Sequence, residues 1–277
     1  MTEPRSDKTA ILAALGRARH LRDDPPPPIL ADVLAAPLCG PDVDAMIDEA
    51  IPIIGRSLTF VVRARYTEDR LKAARARGIG QYVILGAGLD TFAYRHRDHL
   101  DGLAVFEVDQ PEMQAWKRQR VADVGLDVPP ELVYIAVDFE TEALGLALVR
   151  GGVRGGTRTV FSWLGVTQYL SREAIESTLR ILATWPAGSE TVLTYMPPQE
   201  QWGEGEPGAR AGEKTVKEHG NPWRSFFTGE EITTLALSCG FSRVEHFGSD
   251  DASAAYFCDR TDGLRPLYAE RLMAAIV

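Results

Sequence analysis

The stretch Gln81–Thr91, QYVILGAGLDT, decides how this chain folds. Its apolar run is too short for a buried helix and stops at Gly86-Ala87-Gly88, where missing side chains let the backbone approach a ligand closely. A strand entering such a turn opens a nucleotide-binding βαβ unit. In the ordinary dinucleotide pattern the glycines continue as GxGxxG and hold a pyrophosphate at a helix start. Here Thr91 stands at the third glycine position, which weakens the pyrophosphate reading. Spacing alone leaves the turn equally a nucleotide cradle and a plain turn.

Outward from it, short apolar runs alternate with amphipathic stretches. Strands are expected at 82–88, 104–109, 133–138, 159–165 and 190–196, with helices near 110–124, 140–150 and 171–185. Hydrophobicity that is continuous within each strand points to a parallel sheet covered on both faces. A helix at 228–238 then precedes SRVEHF and SAAYFCDR, read as two strands closing the sheet at an antiparallel edge. Residues 1–78 read instead as a helical N-terminal cap, broken by Pro25 to Pro28 after a helix ending near Leu21. Pro197 to Trp223, rich in Gly, Pro and charge, fits neither texture. A loop of that length after a strand's carboxyl end reads as a lid insertion, 197–223, in a Rossmann-like core spanning 79–277. The whole of 1–277 is then a single domain.

Composition narrows the function. The 277 residues are 45% hydrophobic and 25% charged, enough to bury a sizeable core. Thirty Lys and Arg against 39 Asp and Glu leave a net charge of −9, which disfavours binding nucleic acid by phosphate neutralisation. No apolar stretch approaches the roughly 18 residues of a membrane span, and the N-terminus lacks signal-peptide order. Three cysteines, Cys39, Cys239 and Cys258, suggest neither a disulfide framework nor a metal site. Cys239 and Cys258 read as small buried apolar residues. A cytoplasmic protein is expected.

Acidic residues end the second and third strands. Asp109 is placed beside the glycine turn to accept hydrogen bonds from ribose hydroxyls, and Asp138 with Phe139 is placed to hold an adenine. The alternative for Glu107, Asp109 and Asp138 is helix capping. His20, His96, His99, His219 and His246 show no dyad spacing, and structural or solvated roles are expected, so no general base is named. Tyr195, Trp202, Trp223, Phe226 and Phe227 are placed to shape a flat apolar pocket, although the two phenylalanines equally suit anchoring a helix capped by Thr228.

The run GIGQYVILGAGLDTFAYR…VFEVDQPEMQAWK resembles the class I S-adenosylmethionine-dependent methyltransferases of the leucine carboxyl methyltransferase type. It is similar in particular to their bacterial branch, which includes polyketide-tailoring O-methyltransferases. RARHLRDDPPPPILADVLAAPL, VVRARYTEDRL, TVFSWLGVTQYLSREAIESTLRILA and PWRSFFTGEEITTLALSCGF extend the resemblance over nearly the whole chain. It implies an α/β fold: a Rossmann-like, seven-stranded, mostly parallel sheet with helices on both faces and the helical cap. It implies S-adenosyl-L-methionine as cofactor, with Arg63 on the methionine carboxylate and Gly86, Ala87 and Gly88 along the methionine part. Asp109 and Gln110 would face the ribose, and Asp138 and Phe139 the adenine. Ser162 and Trp163 would also border the cofactor, and Leu164, Tyr169, Tyr195 and Trp223 the substrate pocket. Without the resemblance, Arg63 reads as one of several arginines on a solvated helix face. Leu164 stands where the eukaryotic, protein-directed members carry a glutamate, so a small-molecule acceptor, of the secondary-metabolite kind, is expected. The enzyme would be an O-methyltransferase acting on a carboxylate or hydroxyl, as a monomer or homodimer, with no nucleic-acid or membrane partner. Competing readings are an NAD(P)-dependent oxidoreductase and a cofactor-binding protein without turnover.

Overall fold

The structure, a computed structural model, describes residues 7–54, 58–139, 142–218, 220–266 and 268–277. Four helices come first: α1 (Asp7–Asp23), α2 (Ala35–Cys39), α3 (Val43–Ile54) and α4 (Thr59–Ala76). Strands and helices then alternate through β1 (Gln81–Leu85), the short α5 (Phe92–Arg95), β2 (Ala104–Asp109), α6 (Pro111–Asp123) and β3 (Leu132–Ala136). The series continues with α7 (Leu144–Arg150), β4 (Val160–Trp163), α8 (Arg172–Leu182) and β5 (Glu190–Tyr195). The chain closes with α9 (Glu206–Glu218), α10 (Gly229–Cys239), β6 (Arg243–Phe247), α11 (Ser249–Ala252) and β7 (Arg271–Ile276).

The seven strands form one sheet in the order β3-β2-β1-β4-β5-β7-β6. β1 to β5 run parallel, and β7 lies antiparallel between β5 and β6. Alternation along β1 explains why both faces are covered. Val83 and Leu85 join a core with α7, α8 and α10, while Tyr82 and Ile84 join one with α4, α5 and α6. Each such fully buried side chain contributes about 1.5–3 kcal/mol, an upper bound for a compact unfolded chain. The seven-stranded, mostly parallel α/β architecture is the expected one.

Two expectations are corrected. SAAYFCDR is not a strand: Ser253–Phe257 forms one π-helical turn that continues α11, with Ala252 and Phe257 buried. The closing strand is RLMAAI, whose Leu272 to Ala275 are all buried. Met273 and Ala275 pack with α10 on one face, and Leu272 and Ala274 with Tyr66 of α4 on the other, so both faces are covered and the apolar run is continuous. Pro197 to Trp223 is likewise no open loop. It carries α9, whose buried Ala209 and Val216 lie seven residues apart on one face, the spacing of an amphipathic helix. That face packs on α3: an ideal Cβ on Gly208 would lie 3.4 Å from the Ile53 carbonyl oxygen.

At the start of the chain α1 runs two residues past the expected stop, to Asp23, before the prolines. His20 fastens the turn, with Nδ1 2.8 Å from Asp24 Oδ2 and Nε2 accepting from the Ile29 N–H at 2.9 Å. Cys39 and Cys239 are buried, but Cys258 is exposed, against the expectation for it.

Candidate functional site

Register brings the acidic strand ends to the glycine turn. Leu85 pairs with Val108 and Val108 with Ile135, so the residues after β1, β2 and β3 emerge side by side. Between β1 and β4 the strand order reverses, which is where doubly wound sheets open a crevice. A cleft of about 480 Å³ lies there, bordered by Gly86, Ala87, Gly88, Asp109, Gln110, Asp138, Phe139, Leu164, Tyr169 and Arg63.

The turn is held from below. Gly86 and Ala87 donate their N–H groups to the Val108 carbonyl at 2.8 and 3.2 Å. Gly86 has φ +70°, and an ideal Cβ there would stand 2.4 Å from Val166 Cγ2, so only glycine fits. The Asp109 carboxylate accepts from the Gly88 N–H at 2.6 Å through Oδ2 and from the Gln110 N–H at 2.8 Å through Oδ1. Burial raises its pKa, and those two N–H groups oppose the rise. A carboxylate has about four acceptor positions, so two remain beyond these bonds, and Asp109 borders the cleft. Capping does not account for Asp109, because the N-cap of α6 is Gln110. Asp138 opens a turn ahead of α7, its N–H donating to Glu142 Oε1 at 3.0 Å and its carbonyl accepting from the Glu142 N–H at 2.9 Å; Asp138 and Phe139 are half-buried.

Glu107 points away from the cleft. Its carboxylate accepts from Lys117 Nζ at 2.6 Å, and Nζ also donates to the Asp90 carbonyl at 2.6 Å. Burial pushes the Glu107 pKa up to about 7 against the pull of Lys117. The pair props the loop from beneath. From above, Arg17 of α1 donates to the Leu89 carbonyl at 2.7 Å and to Asp32 at 2.6 Å, fixing the N-terminal helix over the opening.

Arg63, on α4, is not on a solvated face: its side chain is 12% exposed. Nη1 donates to both Glu270 carboxylate oxygens at 3.0 Å, and the Thr59 hydroxyl donates to the same carboxylate at 2.5 Å. The guanidinium lies against Gly165 (φ +71°), where an ideal Cβ would be 2.7 Å from Nη1. Arg63, Gln168 and Tyr169 border the cleft and also a second chamber of about 110 Å³, with Met196, Trp223, Tyr268 and Glu270 on its far walls. Burial raises the Tyr169 pKa. The stretch that carries Trp223 is fastened to this wall, the Arg224 N–H donating to the Gln168 carbonyl at 2.6 Å.

Three expected residues do not line either space. Ser162 accepts from the Tyr82 hydroxyl at 2.9 Å, and Trp163 is fully buried in the core. Every side chain of β4 is buried, so the lining starts only at Leu164. Tyr195 is buried, its pKa pushed up to about 12, with its hydroxyl 3.3 Å from His246 Nδ1. Trp202 is buried, donating to the Pro197 carbonyl at 2.9 Å. Phe227 sits in the main core beneath α10, whose Thr228 and Glu231 form a capping box, as the anchoring reading has it. His219 lies outside the described residues. Sequence reasoning passed over Gly165, Gln168, Tyr268 and Glu270. Only Gly165, at the end of the expected strand 159–165, carried a signal.

A family model described as leucine carboxyl methyltransferase matches residues 10–183. A Bacillus subtilis protein named as an S-adenosyl-L-methionine-dependent methyltransferase, YktD, is 31% identical over 95% of this chain and 95% of its own. A protein of the same designation from Mycobacterium ulcerans is 36% identical over 60% of this chain, which spans 58% of that relative's length. A DUF574-family crystal structure from Streptomyces avermitilis superposes with a TM-score of 0.58 over 95% of this chain and 96% of its own, at 16% identity, a likeness of fold. By sequence and by fold, the chain belongs to the leucine carboxyl methyltransferase family of S-adenosyl-L-methionine-dependent methyltransferases.

Proposed function

We propose that the chain transfers the methyl group of S-adenosyl-L-methionine to an oxygen, carboxylate or hydroxyl, of a small molecule. The observation that carries this is that the cleft adjoins the chamber, the two sharing Arg63, Gln168 and Tyr169 in their walls.

The donor groups on the cleft wall match the parts of the cofactor. Arg63 offers a guanidinium for the methionine carboxylate, a pairing suited to its fork of N–H groups. Gly86, Ala87 and Gly88 leave room for the methionine chain. Asp109, with Gln110 beside it, keeps acceptor positions for ribose hydroxyls. Asp138 and Phe139 offer an acceptor and an aromatic face to the adenine. Leu164, Tyr169 and Trp223 then border the acceptor.

When bound, the cofactor supplies the electrophilic methyl group. The chain holds the acceptor oxygen near attack distance and keeps water out, and such positioning is worth up to about 7–11 kcal/mol of barrier. Calorimetric titration with S-adenosylmethionine, S-adenosylhomocysteine and NAD(P)H tests the reading. Micromolar binding of the two adenosyl compounds alone, about −8 kcal/mol, is expected. Binding of the nicotinamide, or of nothing, would overturn it.

A further inference from the structure

Arg63 is held in place from several directions. Nη1 donates to both oxygens of Glu270, the residue directly before β7, and the Thr59 hydroxyl fastens that carboxylate at 2.5 Å. Thr59 lies one turn before Arg63 on α4, so the two side chains share a face of the helix. An ideal Cβ on Gly165 would stand 2.7 Å from Nη1, 2.8 Å from Nη2 and 3.0 Å from Cζ. The guanidinium therefore lies across a residue that has to be glycine. Its Cζ sits 4.9 Å from the centre of the Phe60 ring, within range of a cation–π contact. Arginine carries much rotamer freedom, and a stem already held loses less of it when a ligand arrives.

Glu270 grips from the chamber side. Among the described residues, Glu270 and Thr59 border the chamber and not the cleft, whereas Arg63 borders both. The contact runs through Nη1, so the Nε and Nη2 hydrogens lie outside it. A carboxylate competing for the cleft face of Arg63 would itself border the cleft, and Glu270 does not. We infer that Glu270 is a positioning residue: with Thr59 it turns the Arg63 guanidinium toward the carboxylate of the methyl donor's methionine part. The inference rests on the reading that Arg63 receives that carboxylate. Net charge is not the contribution, because the methionine part carries an ammonium as well as a carboxylate. Glu270 contributes direction, delivered from the start of the chain's last strand.

The test uses the full-length protein and calorimetric titration with S-adenosylhomocysteine and with its decarboxylated form, which keeps the ammonium. In Glu270→Gln, S-adenosylhomocysteine is expected to bind about tenfold more weakly, while the decarboxylated form stays within about twofold of its affinity for the natural chain. Unchanged or tighter binding of S-adenosylhomocysteine would overturn the inference, since Glu270 would then be idle or a competitor. Equal weakening of both compounds would also overturn it, because a disturbed cleft or a direct bond to the ammonium moves both. Where Glu270→Gln fails to fold, Thr59→Val removes the fastening hydroxyl alone. It is read by the same contrast, with about a threefold loss expected for S-adenosylhomocysteine. If the natural chain binds the two compounds alike, the reading beneath fails: Arg63 then receives no carboxylate, and Glu270 is not the cause.

Discussion

Along the cleft, backbone N–H groups and carboxylates come from the turns after β1, β2 and β3, whereas the chamber draws on α3, α4, α9, the turn at Thr167–Tyr169 and residues 268–270. The first wall is set by strand register, which places Gly88 and Asp109 within 2.6 Å although 21 residues separate them. The second is set by side chains packing between segments more than 200 residues apart, as Arg63 and Glu270 are. Register is rigid and leaves little freedom of shape. Packing can be altered one side chain at a time, so the chamber's shape is the freer of the two.

That contrast can be broken or sharpened in graded steps. The largest effect is expected from Lys117→Met, which removes the cation beneath the glycine turn and leaves the buried Glu107 carboxyl without its partner. Removing one partner of a buried pair costs about 3–5 kcal/mol, so urea unfolding should show a loss of that size. A loss under about 1 kcal/mol would mean the cleft wall does not depend on this prop. Next comes Gly86→Ala. The left-handed backbone and the contact with Val166 together predict a cost of about 2–4 kcal/mol in thermal unfolding. An undisturbed Tm would show that the turn can shift.

Arg63→Ala spans both regions. Cofactor affinity should fall by about 1.5–3 kcal/mol in calorimetry, and unchanged affinity would confine Arg63 to the chamber side. Tyr268→Phe is smaller and of opposite sign for stability. Deleting an unpartnered buried hydroxyl should leave stability unchanged or raise it by up to about 1 kcal/mol. A clear loss of stability would mean that the hydroxyl has a partner in the folded chain.

The smallest effect is electrostatic. Burial raises the Glu68 pKa, but the hydrogen bond from His96 and the Arg95 guanidinium outweigh it, and the carboxyl sits below its ordinary value. A depressed carboxyl pKa stabilises the fold fully above the unfolded value of about 4.3 and loses that contribution as pH falls through the folded value. The Tm should therefore drop on acidification below that point. Glu68→Gln should flatten the drop, since this network behind the cleft would no longer titrate.

Legibility in the sequence followed the same division. Five parallel strands announced themselves as continuous apolar runs, and Asp109 and Asp138 stood where those runs stopped. Capping was the rival account for both, and for Asp109 the N-cap of α6 at Gln110 removes it. Leu164 was readable as cleft lining, but Ser162 and Trp163 were not separable from it in one dimension. Only the packing on the two faces of β4 shows where the strand's buried stretch ends. Glu270 gave no sign, because a single carboxylate before a short apolar run matches any surface turn. The helix α9 was masked by its glycines, which lower helix propensity yet let α9 approach α3 closely.

What the amino-acid sequence determined by itself was local and periodic. The βα alternation, the glycine turn with its acidic neighbours and the family all follow from patterns spanning a few tens of residues. What only the tertiary structure decided was long-range: which strand closes the sheet, what Arg63 holds, and which polar atoms the chamber leaves unpartnered. The physical reason lies in the two kinds of constraint. Backbone hydrogen bonding and apolar periodicity act between near neighbours and leave a trace in sequence order. The burial and pairing of a side chain depend on whichever segment folding brings against it, and that carries no fixed spacing.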